Sequence, residues 1–134
     1  MSQITGTEEE KKAILLVEDS TTQALHFQTL LEEKGVSVLW ASDGESGVEM
    51  AQEHSPDLIV LDIQLPKMNG FEVCRKLKEA SSTADIPVIM LTRFDEAESV
   101  VQGLQAGAID YIPKDAFASA VLLETLRQMG LINT

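Results

Sequence analysis

A chain of 134 residues with 44% hydrophobic content has the size and apolar content of one ordinary domain with a single core. The formal charge of −12 disfavours direct binding to nucleic acid, whose phosphate backbone requires a basic surface. The single cysteine, Cys74, has no partner for an internal disulfide, and the chain does not begin with a basic-then-apolar secretory signal. No apolar run reaches the roughly 20 residues of a membrane-spanning helix, so a soluble protein in a reducing, cytoplasmic setting is expected.

Residues 1–11 are predicted to form a flexible acidic tail, because their polar composition offers no apolar surface to bury. From residue 12 onward, five short apolar runs alternate with longer segments of helical periodicity. The runs lie at residues 13–17, 36–40, 58–61, 88–91 and 108–112. This alternation predicts one domain of five β/α units at 12–130 and a short C-terminal tail at 131–134.

Local signals mark the ends of the predicted helices. Ser20 and Gln23 have the spacing of a capping box, in which each side chain satisfies an otherwise unpaired backbone N–H group. Gly35 is predicted to end that helix, while Asp95 and Gly107 are predicted to begin and end a later one.

Apolar residues at helical spacing are predicted to form faces that cover a sheet. These faces consist of Ala24, Phe27 and Leu31 in the first helix, Val101 with Leu104 in a later one, and Phe117 with Val121 in the last. The runs at 14–17 and 58–61 are apolar without alternation, which indicates strands that are buried on both faces between two helix layers. The sequence therefore predicts an α/β fold with a parallel sheet.

Polar side chains follow four of the five predicted strands. In chain order they are Glu18, Asp19, Asp62, Thr92 and Lys114. Because ligands bind at the carboxyl ends of strands in open α/β sheets, these side chains are expected to converge. Crowded carboxylates favour a hard cation, and Mg²⁺ takes one or two carboxylates together with water and phosphate oxygens. The composition suits phosphoryl transfer.

Asp62 is the predicted nucleophile, because it stands alone at its strand end and leaves Glu18 and Asp19 to hold the metal. An aspartate can form an acyl phosphate while a metal ion and a lysine neutralise charge on the transferring group. Lys114 is predicted to pair with phosphate or carboxylate, and Thr92 is predicted to donate a hydrogen bond to a phosphoryl oxygen.

Four segments resemble the receiver domain of two-component response regulators, the CheY-like family. They are ILLVEDS at 14–20, DLIVLDIQLPKMNG at 57–70, PVIMLT at 87–92 and GAIDYIPK at 107–114. The resemblance covers roughly residues 12–129. It implies a flavodoxin-like (βα)5 three-layer sandwich, with a central five-stranded parallel sheet in the strand order 2-1-3-4-5.

The resemblance also implies a phosphorelay function. Asp62 would accept a phosphoryl group from a sensor histidine kinase or a phosphotransfer protein. Mg²⁺ would be bound by Glu18, Asp19, Asp62 and the backbone carbonyl of Gln64. The domain would catalyse only its own phosphotransfer and autodephosphorylation, so it is a signalling module rather than an enzyme acting on other substrates.

A second set of residues resembles the family's phosphate-sensing group. Thr92 and Lys114 would contact the phosphate, and Tyr111 would move inward behind Thr92, which remodels the face of the last helices and strand. That face would carry the signal to a downstream effector, and a homodimer through it is a further expectation from the family. Gly70 resembles the glycine of the turn after the acceptor strand, where it would supply backbone freedom.

Two positions depart from the family pattern. Arg93 follows Thr92 where a small residue is usual, so it is predicted to modulate access of water or a phosphodonor to the phosphate. Asp115 follows Lys114 where many members have proline. A cis peptide bond before a residue other than proline costs about 2.5–4 kcal/mol, and none is expected here.

Three other functions use the same fold class or the same residues. A receiver that acts through protein contacts without phosphorylation, with Arg93 blocking access, is the main alternative. A phosphatase with an aspartyl nucleophile usually needs a substrate-selecting cap, for which the loops here are too short. Flavodoxin-like cofactor binding is disfavoured because Glu18 and Asp19 would repel a phosphate group in the first loop.

Overall fold

A computed structural model of the protein describes residues 11–93 and 97–133. Its strands are β1 (Ala13–Val17), β2 (Ser37–Ala41), β3 (Leu58–Leu61), β4 (Val88–Thr92) and β5 (Asp110–Pro113). Its helices are α1 (Thr21–Glu33), α2 (Gly44–His54), α3 (Gly70–Glu79), α4 (Ala97–Gln105) and α5 (Ala118–Gln128). The strands pair in parallel in the order β2-β1-β3-β4-β5, which confirms the predicted flavodoxin-like fold.

The sheet separates two apolar clusters, one on each face. Successive residues of β1 alternate between them, so that Leu15 and Val17 join one cluster while Ile14 and Leu16 join the other. The first cluster is covered by α2 and α3, and the second by α1 and α5. Each fully buried leucine or isoleucine stabilises the fold by roughly 1.5–3 kcal/mol relative to an exposed one. The central strands are therefore held firmly, and their carboxyl ends have fixed positions.

Helix α1 follows the sequence pattern closely but does not form the predicted capping box. The Ser20 hydroxyl accepts a hydrogen bond from the backbone N–H of Gln23 at 3.3 Å, which is half of the box. The other half is absent, because the backbone N–H of Ser20 donates to the Glu18 carboxylate at 3.1 Å. The helix buries Ala24, Phe27 and Leu31 as predicted, and Gly35 follows its end in a left-handed conformation (φ 87°).

The predicted apolar faces of α4 and α5 are wrong. Val101, Leu104, Phe117 and Val121 are 45–70% exposed. In α5 the buried stripe is Ala118, Leu122 and Leu126, one position further along. The last helix carries two adjacent apolar stripes, and sequence periodicity alone does not decide which one faces the sheet.

In α4, a small residue rather than a large one approaches the sheet. Gly103 is buried, and a Cβ atom at that position would lie 3.2 Å from Cδ2 of Tyr111. The flat surface at Gly103 accommodates the tyrosine ring, while Val101 and Leu104 remain outside. Gly107 ends the helix with φ 111°, as predicted, and the N–H of Ala108 donates to the carbonyl of Gly103 at 3.0 Å.

Core packing continues beyond the boundary predicted at residue 130. Ile132 is 6% exposed and joins the cluster under α1 and α5, with Leu131 partly buried against it. The predicted domain limits otherwise stay a prediction, and the acidic residues 1–10 and the helix start at Asp95 lie outside the described residues. Among the residues that are described, none of the helices combines the length and apolar character needed to cross a bilayer.

Candidate functional site

The loops at the carboxyl edge of the sheet enclose a pocket of ≈ 250 Å³. It is lined by Glu18, Asp19, Ser20, Gln23, Asp62, Gln64, Arg93 and Lys114. The structure thus brings together the predicted acceptor, acidic pair, lysine and arginine. Ser20 and Gln23 line the pocket as well, although the sequence pattern assigned them only to the helix cap.

Lys114 is the centre of the hydrogen-bond network in this pocket. Its ammonium group donates to Oδ2 of Asp62 at 2.8 Å, to Oε1 of Glu18 at 2.5 Å and to Oε1 of Gln23. The side chains of Lys114, Glu18 and Asp62 are 10%, 3% and 8% exposed, respectively. Because these groups are shielded from water, the ion pairs hold the lysine firmly beside Asp62.

Backbone hydrogen bonds that extend the sheet past its strand ends position the same residues. The N–H of Asp62 donates to the carbonyl of Val17 at 3.1 Å, and the N–H of Lys114 donates to the carbonyl of Thr92 at 2.7 Å. The N–H of Glu18 likewise donates to Ala41 at 3.0 Å. Each chemically important residue is therefore the first one after a buried strand or close to it, with its main chain still tied to the neighbouring strand.

The peptide group between Glu18 and Asp19 has an additional contact. The indole N–H of Trp40, at the end of β2, donates to the carbonyl oxygen of Glu18 at 2.7 Å. This contact fixes the main chain of the acidic pair, and the sequence pattern did not reveal it because it joins residues 22 positions apart.

The loop after Asp62 turns back tightly on that residue. The backbone N–H of Gln64 donates to Oδ1 of Asp62 at 3.2 Å, and that of Gly70 donates to the carbonyl of Ile63 at 2.9 Å. A Cβ atom at Gly70 would lie 2.3 Å from the Asp62 carbonyl oxygen. The glycine is required for this close approach, rather than for the backbone freedom expected from sequence, and the left-handed residue of the loop is Lys67 (φ 71°).

Burial raises the pKa of Glu18 above its ordinary value, and the hydrogen bond from Lys114 only partly offsets that effect. The negative charge of Asp62 raises the pKa of Glu18 further. Three carboxylates and two cationic side chains line the pocket, so its formal charge is negative. An additional cation would relieve this repulsion.

The donor set fits Mg²⁺ chemically without forming a ready-made cage. Glu18, Asp19, Asp62 and Gln64 line one pocket, and Mg²⁺ binds carboxylate and carbonyl oxygens while retaining several waters. Within residues 11–93 and 97–133, however, no three acidic, histidine or cysteine side chains are already grouped as metal ligands. The reason is visible in the geometry, since the Lys114 ammonium lies between the oxygens of Glu18 and Asp62, and Asp19 is exposed.

The remaining predicted residues occupy different positions around the pocket. Arg93 is exposed and lines it, whereas Thr92 is 0% exposed at the end of β4 and does not. Tyr111 is partly buried in β5, with its hydroxyl oxygen shielded from solvent. The peptide bond between Lys114 and Asp115 is trans, as expected.

This fold, with an aspartate, an acidic pair and a lysine at the carboxyl edge of the sheet, defines a receiver-type signalling domain. Comparison with known proteins agrees, because the model of the response regulator receiver domain matches residues 14–127. The chain belongs to the response regulator receiver domain family of two-component systems.

Similar curated proteins include response regulators of different lengths. The chain is 44% identical over 103 residues to the alkaline phosphatase synthesis transcriptional regulatory protein PhoP of Bacillus subtilis, covering 77% of this chain and 42% of that protein. It is 40% identical over 101 residues to protein PilH of Pseudomonas aeruginosa, covering 75% of this chain and 84% of PilH. The chain thus spans less than half the length of PhoP but most of PilH.

Solved structures of receiver domains share the fold. The chemotaxis protein CheY4 of Vibrio cholerae superimposes with a TM-score of 0.82 at 30% identity, covering 88% of this chain and 98% of that chain. The receiver domain of the sensor histidine kinase PA1611 of Pseudomonas aeruginosa gives a TM-score of 0.80 at 30% identity, covering 88% and 96%. That second structure has a magnesium ion coordinated in its active-site cleft.

Proposed function

We propose that this receiver accepts a phosphoryl group on Asp62 from a sensor histidine kinase or a phosphotransfer protein, in a reaction assisted by Mg²⁺. The observation that carries the proposal is the Lys114 ammonium, which lies 2.8 Å from Oδ2 of Asp62 in a largely buried acidic pocket. A cation fixed beside a nucleophilic carboxylate lowers the cost of bringing a phosphoryl group to it.

In the proposed step, a carboxylate oxygen of Asp62 forms a bond to phosphorus as the P–N bond of the donor's phosphohistidine breaks. The bonding electron pair stays on the imidazole nitrogen, and Asp62 becomes an acyl phosphate. Lys114 would then pair with a phosphoryl oxygen. In autodephosphorylation, water attacks phosphorus as the bond between phosphorus and the Asp62 oxygen breaks, and the electron pair stays on that oxygen. The products are inorganic phosphate and the Asp62 carboxylate, and the proton lost by water passes to the phosphate or the solvent.

The metal would be held by the carboxylates of Glu18, Asp19 and Asp62 and by the backbone carbonyl of Gln64, and these four residues line the pocket. Mg²⁺ supplies charge neutralisation for the transferring group when it is bound. The Glu18 carboxylate would have to give up its contact with Lys114 in order to contact the metal ion. The magnesium-bound receiver of PA1611 supports this assignment by similarity.

Thr92 and Tyr111 are the proposed switch residues. Thr92 is buried at the end of β4, next to Lys114 through the backbone hydrogen bond, and Tyr111 follows on β5. The added charge of about −1.5 to −2 on Asp62 would draw the Thr92 hydroxyl toward the phosphate and alter the surface around β5. A cytoplasmic effector protein would read this change, and a homodimer through the same surface is an additional mode of output.

The test is incubation with acetyl phosphate and Mg²⁺, followed by intact mass measurement under acidic conditions. The wild-type protein is expected to gain one phosphoryl group, and Asp62→Asn, which keeps the side-chain shape but not the nucleophile, is expected to gain none. An equal gain in both proteins would refute Asp62 as the acceptor, and no gain in the wild type would refute phosphorylation of the unaltered chain.

A second function is favoured by one observation. Arg93 lines the same pocket as Asp62, and its guanidinium would act there as a steric barrier and a counter-charge to the acceptor. A receiver whose acceptor is blocked in this way would act as a protein-interaction module that does not depend on phosphorylation. The same mass measurement separates the two functions, since this module would remain unmodified in the wild type.

A further inference from the structure

Gln23 has a position in the site that its sequence context does not explain. It lies in the first turn of α1, and its backbone N–H serves the Ser20 cap. Its side chain, however, extends into the pocket, where the amide oxygen accepts a hydrogen bond from the Lys114 ammonium across 91 positions of sequence. The side chain is thus a part of the pocket rather than of the helix cap.

The three hydrogen-bond acceptors of Lys114 match its three ammonium protons. A lysine ammonium has three donors and no acceptor capacity. Two of its acceptors here, Glu18 and Asp62, are carboxylates with chemical tasks of their own, whereas Gln23 is neutral. We propose that Gln23 is a positioning residue that holds the Lys114 ammonium beside Asp62 during phosphorylation; this inference rests on the proposed function.

The neutral amide suits this task better than a carboxylate would. The contact of Asp62 with Lys114 changes when Asp62 becomes an acyl phosphate. The contact of Glu18 with Lys114 changes when the Glu18 carboxylate reorients to bind a metal cation. Gln23 takes part in neither change, so its contact with the ammonium persists through both. A carboxylate at this position would attract the ammonium more strongly and would add negative charge that repels an incoming phosphodonor.

The burial of Lys114 and Gln23 raises the cost of losing the hydrogen bond between them. The Lys114 side chain is 10% exposed and Gln23 is half-buried, so water has limited access to replace a lost acceptor. An acceptor removed from a shielded donor leaves that donor without full compensation. Loss of the amide oxygen would therefore widen the range of positions that the ammonium samples.

The experiment compares Gln23→Met with Gln28→Met. Methionine is similar to glutamine in length and helix preference but is only a weak acceptor. Gln28 lies on the same helix, where its amide contacts Glu32 on an exposed surface, so it reports the general effect of this substitution. Gln23→Met is expected to slow phosphorylation by acetyl phosphate about fivefold, and Gln28→Met is expected to leave it unchanged.

A second readout needs neither phosphodonor nor metal. Solvent exchange of the Lys114 ammonium protons, followed by NMR of lysine-labelled protein, is expected to accelerate about fivefold in Gln23→Met. Gln23→Glu, which restores an acceptor oxygen, is expected to return exchange to the wild-type rate or below. Thermal unfolding of each variant identifies any loss of fold.

The two readouts distinguish the failure of this inference from the failure of the proposed function. Unchanged ammonium exchange in a folded Gln23→Met protein overturns the positioning role of Gln23. Faster exchange with an unchanged phosphorylation rate also overturns it, because the contact would then have no part in the reaction. If the wild-type protein accepts no phosphoryl group, the proposed function fails, and this inference about phosphorylation fails with it even if exchange responds.

Discussion

The first three β/α units and the last two differ in how many of their large apolar side chains are exposed. In the first units, the stripe predicted for α1 is buried, and Leu31 is 0% exposed. In the last two, large apolar side chains remain outside, and they account for five of the seven exposed ones among the described residues. These five are Val101, Leu104, Ile109, Phe117 and Val121.

Both groups of units contribute residues to the pocket. The first three units contribute Glu18 and Asp62, whose backbone N–H groups donate to the neighbouring strands. The last two contribute Arg93 and Lys114, which lie next to helices that leave more large apolar side chains exposed. Elements with fewer buried apolar contacts have lower local stability. A change of charge at Asp62 would therefore act on a region of higher local stability in the first three units and on a region of lower local stability in the last two.

The largest expected effect is on stability in the first units. Leu31→Ala removes fully buried methyl groups and is expected to lower the free energy of unfolding by about 3 kcal/mol. Leu104→Ala, at a side chain that is 49% exposed, is expected to lower it by about 0.5 kcal/mol. Urea unfolding of the two variants measures the difference. Similar losses would contradict the contrast between the regions.

A pair of glycines tests the same contrast in the main chain. Gly70→Ala places a Cβ atom against backbone that cannot move aside, 2.3 Å from the Asp62 carbonyl oxygen, and is expected to cost about 2–3 kcal/mol. Gly103→Ala meets side chains only, the ring edge of Tyr111 at 3.2 Å and Cγ of Met90 at 3.5 Å. Alanine is favoured over glycine within a helix by about 1 kcal/mol, so the net change should stay within about 1 kcal/mol. A Gly70→Ala protein as stable as Gly103→Ala would show that the acceptor loop can relax.

Electrostatic strain is also expected in the first units, at Glu18. Burial raises the pKa of its carboxyl above the ordinary value of 4.5, so the folded protein binds more protons than the unfolded chain between these two values. Stability then falls as the pH rises through that window, and the penalty is complete above the folded pKa. Glu18→Gln cannot ionise at this position, so its stability is expected to lack this fall with rising pH.

The measurement is urea unfolding from about pH 4 to about pH 8 without divalent cations. Glu98→Gln, at an exposed position on α4, is the matched control and should follow the wild-type profile. If Glu18→Gln shows the same pH dependence as wild type, burial of Glu18 is not the source of the strain.

The sequence predicted the fold and most of the pocket because both depend on local properties. A continuous apolar run predicts a buried strand, and the residue that follows it lies at the strand end wherever the chain folds in this way. Asp62 was found in this manner, as were Glu18 and Lys114. Their distances from one another could not be predicted, because they depend on the order and register of the strands.

The features that sequence reasoning missed depend on tertiary packing. Gln23 was assigned to a cap because its spacing from Ser20 fits one, and nothing local indicates that its amide reaches Lys114. The contact of Trp40 with Glu18 joins two neighbouring strands. In α5, two adjacent stripes are apolar, and the rotation of the helix relative to the sheet leaves Phe117 outside. The need for glycine at position 70 is predictable from sequence. The close approach to the Asp62 carbonyl oxygen, which is the physical reason for it, is not.

The smallest expected effect concerns Arg93, an exposed cation that lines the pocket. On phosphorylated Asp62, its guanidinium would pair with the phosphoryl group and limit the approach of water. Exposed ion pairs contribute at most about 1 kcal/mol, so Arg93→Ala is expected to shorten the lifetime of the acyl phosphate by about threefold. Intact mass spectrometry after removal of the phosphodonor measures that lifetime.

Arg127→Ala is the control, because Arg127 pairs with Glu124 on α5 and does not line the pocket. Equal lifetimes in wild type and Arg93→Ala would show that the arginine does not protect the phosphate. A different result would decide between the two proposed functions: if only Arg93→Ala accepts a phosphoryl group, the acceptor chemistry is intact and Arg93 blocks it. The wild-type chain would then act through protein contacts, and the conformation of its last two β/α units would not depend on phosphorylation of Asp62.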